Sequence, residues 1–295
     1  MAIKFIVDSM CDTNSDILNR YDFDILPFPV TLDDKTYFDG INITPEMVVD
    51  FVNNNSKLFP KTAQIQPLDI TNTIEKHLKN GDDVIYLVLS SKLSGTYQTA
   101  RLLARDLLEK YPDRKVTIVD SLSATTGSAL ILYQGLKLNK LNRPYEEIVD
   151  TMTFLAQHAQ IFFMVGDIKW LAQGGRISRN AAMLGDMLKI VPILYFKDGE
   201  ILVYEKIRGQ KKALKTLFAI VEEKMGNREQ VLGMIQSTAP DLQDRAKKYF
   251  EKELGIKNFL LPEKAGSTLT VHIGTNCLGI MFFDQLPDNY VNVIP

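Results

Sequence analysis

Apolar positions along the chain fall into two kinds of cluster. Short runs rich in Ile and Val occupy residues 4–7, 84–89 and 115–119, with no clean in–out alternation. Strands covered on both faces read this way. Helical spacings separate them. Within residues 67–80, Ile70, Ile74 and Leu78 fall four apart, and Gly81 follows. Within residues 94–111, Tyr97, Ala100, Leu103, Ala104, Leu107 and Leu108 form one stripe, closed by Pro112. Strands alternating with helices predict a parallel sheet with right-handed crossovers.

A hairpin interrupts this first half. Residues 30–32 and 35–38 flank the turn-prone pair Asp33-Asp34, and Thr44-Pro45-Glu46 reads as an N-cap with Pro at the first helical position. The second half changes character. Residues 161–165 form a strand candidate, and 191–196 and 200–205 flank Lys197-Asp198-Gly199, a strong hairpin signal. Amphipathic helices are expected over 210–225 and 241–254, and further strands over 231–236, 269–273 and 279–283. This order predicts a mixed sheet with helices on one face. The expectation is an α/β protein in two parts. Residues 1–158 would form a Rossmann-like parallel-sheet domain with a hairpin insertion, and residues 159–295 a mixed-sheet α/β domain.

Composition narrows the function classes. The chain carries 34 Lys and Arg against 36 Asp and Glu, a formal charge of −2, so it has no bulk electrostatic drive toward nucleic acid. No apolar run approaches the roughly 18 residues needed to span a bilayer. Asp8 interrupts the N-terminal apolar stretch too early for a signal peptide. The two cysteines, Cys11 and Cys277, make no disulfide framework. A cytoplasmic protein is expected.

Familiar chemical signatures are missing. The sequence has no GxxxxGK[ST], no GxGxxG after a strand and no GxSxG elbow, and His77, His158 and His272 form no metal-ligand spacing. Three polar features remain. Two of the predicted strands end on the same letters, Val7-Asp8-Ser9 and Val119-Asp120-Ser121, at the sheet edge where open parallel sheets collect ligands; helix capping is the plainer reading of each. A loop at Lys61–Pro67 carries Thr62 and Gln64. The run Ser90–Gln98 places Ser94, Gly95 and Thr96 at a helix entrance, where free N–H groups favour an anion and Gly95 permits close approach. Read as a strand, 268–274 would turn Leu269, Val271 and Ile273 to the core and leave Thr268, Thr270 and His272 for a site.

Taken in order, these segments resemble the bacterial DegV family of fatty-acid-binding proteins. The resemblance rests on Thr62 with Gln64, Ser90–Tyr97, Val119–Ser121, Gly175–Ser178 and His272-Ile273-Gly274, spread over nearly the whole chain. Ala63 stands where the family usually has a small hydroxyl residue, and Gly274-Thr275-Asn276 replaces the usual Gly-Pro-Gly. The resemblance implies one long-chain fatty acid, palmitate- or oleate-like, held between the two parts, with no cofactor and no catalysis by this subunit alone. It implies that Thr62 and Ser94, with the Gly95 backbone, hold the carboxylate and that His272 joins their network. Arg176, in an exposed segment, resembles the arginine that engages an ATP-dependent fatty acid kinase feeding phospholipid synthesis, and transient membrane contact during lipid loading would fit. The tunnel would draw on Phe162, Met164, Leu188, Ile190, Ile193, Leu194, Ile280 and Phe282. Two other readings stand beside this one. A serine hydrolase would use Ser94, His272 and Asp8 or Asp120 as nucleophile, base and orienter. A binding module could instead take another hydrophobic carboxylate.

Overall fold

The computed structural model describes residues 2–55, 58–177 and 190–292. Ser178 and Leu188 therefore lie outside the described residues.

The buried Ile- and Val-rich runs form the parallel sheet expected of them. Strands β1 (Ile3–Asp8), β2 (Asp24–Leu26), β6 (Asp83–Val88) and β7 (Val116–Asp120) lie in the order β2-β1-β6-β7, all parallel. The short helix α1 (Ser15–Arg20) connects β1 to β2. Every residue of β6 is buried, as a central strand covered on both faces requires. Strand β2 leaves no signal in the sequence, since three residues are too few to show a period. The hairpin insertion forms β3 (Pro29–Leu32) and β4 (Lys35–Phe38), and β5 (Lys61–Thr62) adds to β3 as a third strand. Between them lies helix α2 (Pro45–Asn54), capped by Thr44 with Pro45 in its first turn. Helices α3 (Pro67–Lys79) and α4 (Thr96–Lys110) pack against each other and on the parallel sheet through the stripes read from the sequence.

Beyond Ala159 the chain builds a six-stranded mixed sheet. Its order is β10-β9-β8-β13-β11-β12, from β8 (Ala159–Met164), β9 (Ile190–Lys197), β10 (Glu200–Arg208), β11 (Val231–Ser237), β12 (Asn258–Leu260) and β13 (Cys277–Phe283). The β11–β12 pair is parallel and the other described pairs are antiparallel. The β9–β10 turn has Asp198 and Gly199 at φ 51° and 83°, the double left-handed conformation that tight hairpins favour.

The two faces of this sheet have different neighbours. Phe162, Met164, Ile193, Ile280 and Phe282 pack in one cluster with α8 (Gln210–Lys224) and α9 (Pro240–Leu254). Ile161, Phe163, Ile235 and Met281 belong to the larger cluster shared with the first sheet, where α5 (Thr125–Lys140) lies between the sheets. Helix α6 (Tyr145–His158) packs on α5 and leads into β8, and the short helix α7 (Lys169–Gln173) follows β8. Residues 287–292 return across this layer. The Gln134 side chain bonds both the N–H and the carbonyl of Val291, Lys137 donates to the Val291 carbonyl, and Asn289 reaches Glu147 and Thr151.

One element differs in type from its expectation. Residues 269–273 read as a strand in the sequence, but Ser267–Ile273 is a helix, α10. The segment is β-branched and its polarity alternates as a strand's does, yet all seven residues are buried, so the alternation does not divide a core face from an exposed one. Asp12 and Asp39 bind the N–H groups of Gly266, Ser267 and Thr268, and this tertiary pairing favours the helix over local strand preference. No helix among the described residues is long and apolar enough to cross a membrane.

Candidate functional site

The paired strand ends serve the loop that leads into α4. Asp8 accepts from the N–H groups of Leu89 (2.7 Å) and Met10 (3.1 Å); Asp120 accepts from those of Ser91 (3.0 Å) and Leu122 (3.1 Å). Two carboxylates on nearby strands thus grip the exit of β6 from both sides. Neither caps a helix. Burial pushes the Asp8 carboxyl up to about 7. Ser90 donates to the Gly199 carbonyl at 2.8 Å, which docks the tip of the β9–β10 hairpin on the same loop.

That loop presents Ser94. Its hydroxyl lies 3.0 Å from Thr96 Oγ1 and accepts, at 3.3 Å, from the Thr96 N–H, so a local capping role for Ser94 is present as well. Buried Thr96 in turn accepts from the Ile65 N–H at 3.4 Å. This fastens the segment after β5 to the start of α4 and brings Thr62 and Ser94 into one wall. Across from them, Thr62 Oγ1 and His272 Nε2 are 3.0 Å apart. Gly174 packs against the other edge of the imidazole: a Cβ built there would sit 2.2 Å from Nδ1. Arg176 donates to the Gly174 carbonyl at 2.6 Å and the Leu93 carbonyl at 3.2 Å, which returns the contacts to the residue beside Ser94.

Electrostatics make this ring a set of neutral donors beside a cation. His272 is 8% exposed, and burial, reinforced by the Arg176 charge, lowers its pKa to about 3. The imidazole is therefore neutral at ordinary pH. With the proton on Nε2 it donates to Thr62, leaving the threonine hydroxyl free to donate onward to an anion. Nδ1 has no hydrogen-bond partner. Burial also lowers the Arg176 pKa, yet an arginine stays charged.

Thr62, Ser94, Arg176 and His272 all line one cavity. Its body is apolar, with Phe28, Leu89, Ile161, Phe163, Ile235 and Met281 in the wall. The lining is that of a site for an apolar ligand with a few fixed polar contacts. Cys277 also lines it, but burial holds its thiol up at about 12, so it is an inert wall group.

The sequence-based expectations fare unevenly. Thr62, Ser94 and His272 come together at one cavity, and Gly95 does not line it. The space before Gly95 is taken by the Gln64 side chain, whose Oε1 would lie 2.8 Å from an added Cβ. Arg176, expected in an exposed segment, is half-buried and faces the cavity. Five of the expected tunnel residues stand on the other side of the pleat. Phe162, Met164, Ile193, Ile280 and Phe282 lie under α8 and α9, and their neighbours Ile161, Phe163 and Met281 line the cavity instead. Ile190 and Leu194 do not line it either. Reasoning from sequence misses Thr125, whereas Thr268 is among the residues it left for a site; both are buried in the cavity wall. The Thr268 hydroxyl has no partner, and Thr125 sits at φ 50°, rare for a β-branched residue; no spacing rule signals Thr125.

Comparison with known proteins agrees with this architecture. The family model described as "Uncharacterised protein, DegV family" matches residues 2–285. A DegV domain-containing protein from Clostridium acetobutylicum is 30% identical over 283 residues, covering 96% of this chain and 99% of that one. The structure of a fatty-acid-binding DegV family protein from Thermus thermophilus superposes with a TM-score of 0.88 at 26% identity, over 96% of this chain and 99% of that one. A fatty acid kinase B3 protein from Streptococcus pneumoniae, loaded with linoleic acid, shares the fold with a TM-score of 0.86 at 18% identity, over 97% and 100%. By sequence over nearly its full length, and by its pair of sheets, this chain belongs to the DegV family.

Proposed function

We propose that this protein binds one long-chain fatty acid, with its carboxylate at Thr62, Ser94 and His272 and its tail in the apolar cavity. The observation that carries this reading is the bonded Thr62–His272 pair on the wall of a cavity whose body is apolar. Fatty-acid binding by the similar protein from Thermus thermophilus supports it.

The energetics divide the work between tail and head. A sixteen-carbon acid offers about fourteen methylenes, and at about 0.8 kcal/mol each their burial favours binding by about 11 kcal/mol. Association costs of about 4–15 kcal/mol oppose it. A head-group hydrogen bond adds only about 1–3 kcal/mol. The tail sets affinity, and the hydroxyls set orientation. Arg176 supplies positive charge at the head-group ring.

The hydrolase reading is not supported. His272 pairs with Thr62, not Ser94, and its Nδ1 meets no carboxylate. Asp8 accepts from backbone N–H groups with both oxygens and Asp120 with its Oδ1. An imidazole with a pKa of about 3 is also a weak general base.

Presentation of the bound acid to an ATP-dependent fatty acid kinase is the finer part of the proposal. It draws on the resemblance to the pneumococcal protein. Docking through Arg176 would require the guanidinium to leave its two carbonyl partners. The test of the whole reading is extraction of purified protein under denaturing conditions, followed by mass spectrometry and by palmitate uptake into the stripped protein. Recovery of long-chain acids and stoichiometric uptake are expected. Neither acyl species nor uptake would overturn it.

A further inference from the structure

His272 lacks the partner that usually orients a functional imidazole. Such rings are held by a hydrogen bond at the nitrogen away from the ligand. Here Nδ1 is buried with no partner and is packed against Gly174. Apart from the Thr62 contact and the Gly174 packing, the position of the ring is set by the backbone of α10. That helix has seven residues, too few to be stable alone.

Two carboxylates from the first half of the chain, Asp39 buried and Asp12 half-buried, hold it. Asp39 accepts from the Ser267 N–H at 2.9 Å with one oxygen and from the Thr268 N–H at 3.1 Å with the other. Asp12 accepts from the Gly266 N–H at 3.0 Å. Each is itself fixed: Ser9 donates to Asp39 at 3.1 Å, and Thr125 donates to Asp12. Asp39 is 5% exposed. Gly266 admits this approach, because a Cβ there would lie 3.1 Å from Asp12 Oδ1. The half of the chain that supplies Thr62 and Ser94 thus also holds the N-terminus of the helix bearing His272.

We propose that Asp39, assisted by Asp12, is a positioning residue for the head-group site: through α10 it places His272 Nε2 against Thr62. This rests on the fatty-acid reading only for its effect on affinity. Asp39→Asn keeps the size of the side chain but turns one accepting oxygen into a donor, so one of the two amides loses its partner.

The experiment records imidazole nitrogen shifts of His272 by NMR in the stripped protein, assigned with His272→Asn, and then measures palmitate binding. In Asp39→Asn the His272 nitrogens are expected to move toward the values of a mobile imidazole, and the palmitate Kd to rise about tenfold. Glu46→Gln, which weakens the surface ion pair to Lys264 beside the same helix, should change neither. Asp12→Asn leaves both Asp39 bonds in place and should give the same nitrogen shift at smaller amplitude; it decides the matter if Asp39→Asn does not fold. Unchanged His272 nitrogens in a folded variant would overturn the assignment. Failure of the wild type to take up palmitate would instead overturn the fatty-acid reading, while the nitrogen shifts would still decide the positioning role.

Discussion

Thr62 and His272 stand 210 positions apart in sequence and meet at 3.0 Å, one on the last residue of β5 and the other on α10. The contact joins the hairpin insertion to the C-terminal region, so the proposed head-group site requires both to be in place. A double-mutant cycle with Thr62→Val and His272→Asn should therefore show non-additive losses of palmitate affinity. The expected coupling is about 0.5–3 kcal/mol, measured by calorimetric titration of the four proteins. Additive losses would mean that the two side chains act separately.

Gly174→Ala tests the packing behind the imidazole. The added methyl would meet His272 Nδ1 at 2.2 Å, closer than any real carbon contact, so ring or chain must move. Palmitate affinity should fall about tenfold or more, with a stability loss of about 1–3 kcal/mol. Gly95→Ala is the comparison: its Cβ meets the tip of the flexible Gln64 side chain, and binding should change little.

The pleat of β8 offers a sharper contrast. Phe163 lines the cavity and Phe162 does not. Phe163→Ala should enlarge the site and shift preference toward longer or bulkier acyl chains in a competition assay. Phe162→Ala should cost about 3–5 kcal/mol in urea unfolding and leave the preference where it was. A change of preference in the second variant alone would place the ligand on the other side of the sheet.

Lys137 gives a pH signature remote from the ligand. Burial lowers its pKa from 10.5 to about 7, even though its ammonium donates to the Val291 carbonyl and lies 4.3 Å from the Tyr133 ring centre. Between these two values the unfolded chain binds the proton that the folded chain has given up. Raising the pH from about 7 toward 10.5 removes that advantage of the unfolded state, so this residue's contribution to stability rises across the window and falls again on acidification. Wild type should gain on Lys137→Met by a few kcal/mol between about pH 7 and 10, on the order of the shift involved, as read from urea unfolding at each pH. A constant difference would show that the amine stays ionised in the fold.

Much of the scaffold is legible because it obeys local rules. The all-buried run of β6, the Thr44-Pro45 start of α2 and the Asp198-Gly199 turn each announce themselves within a few residues. Failures come where the deciding contact is distant. Helix α10 owes its form to Asp12 and Asp39, whose bonds to it span 254 and 228 positions, and its own β-branched letters argue for a strand. The sequence of β8 cannot say which face meets a ligand, because both faces are apolar and each meets a different partner. Arg176 reads as exposed among glycines, yet those glycines let its guanidinium fold back on Leu93 and Gly174. Thr62, Ser94 and His272 emerge from an ordered set of soft motifs; their proximity cannot be read from spacing.

The two-sided character of the six-stranded sheet has a practical reach. Side chains one step apart on β8 answer to separate demands, since Phe162 is braced by Tyr195, Tyr204 and Phe282, whereas Phe163 borders the cavity. A lineage or an engineer could recut the chamber at Ile161, Phe163 and Met281 while the helical buttress behind it stays untouched. Novelty in what is carried can therefore accumulate without taxing the frame that carries it.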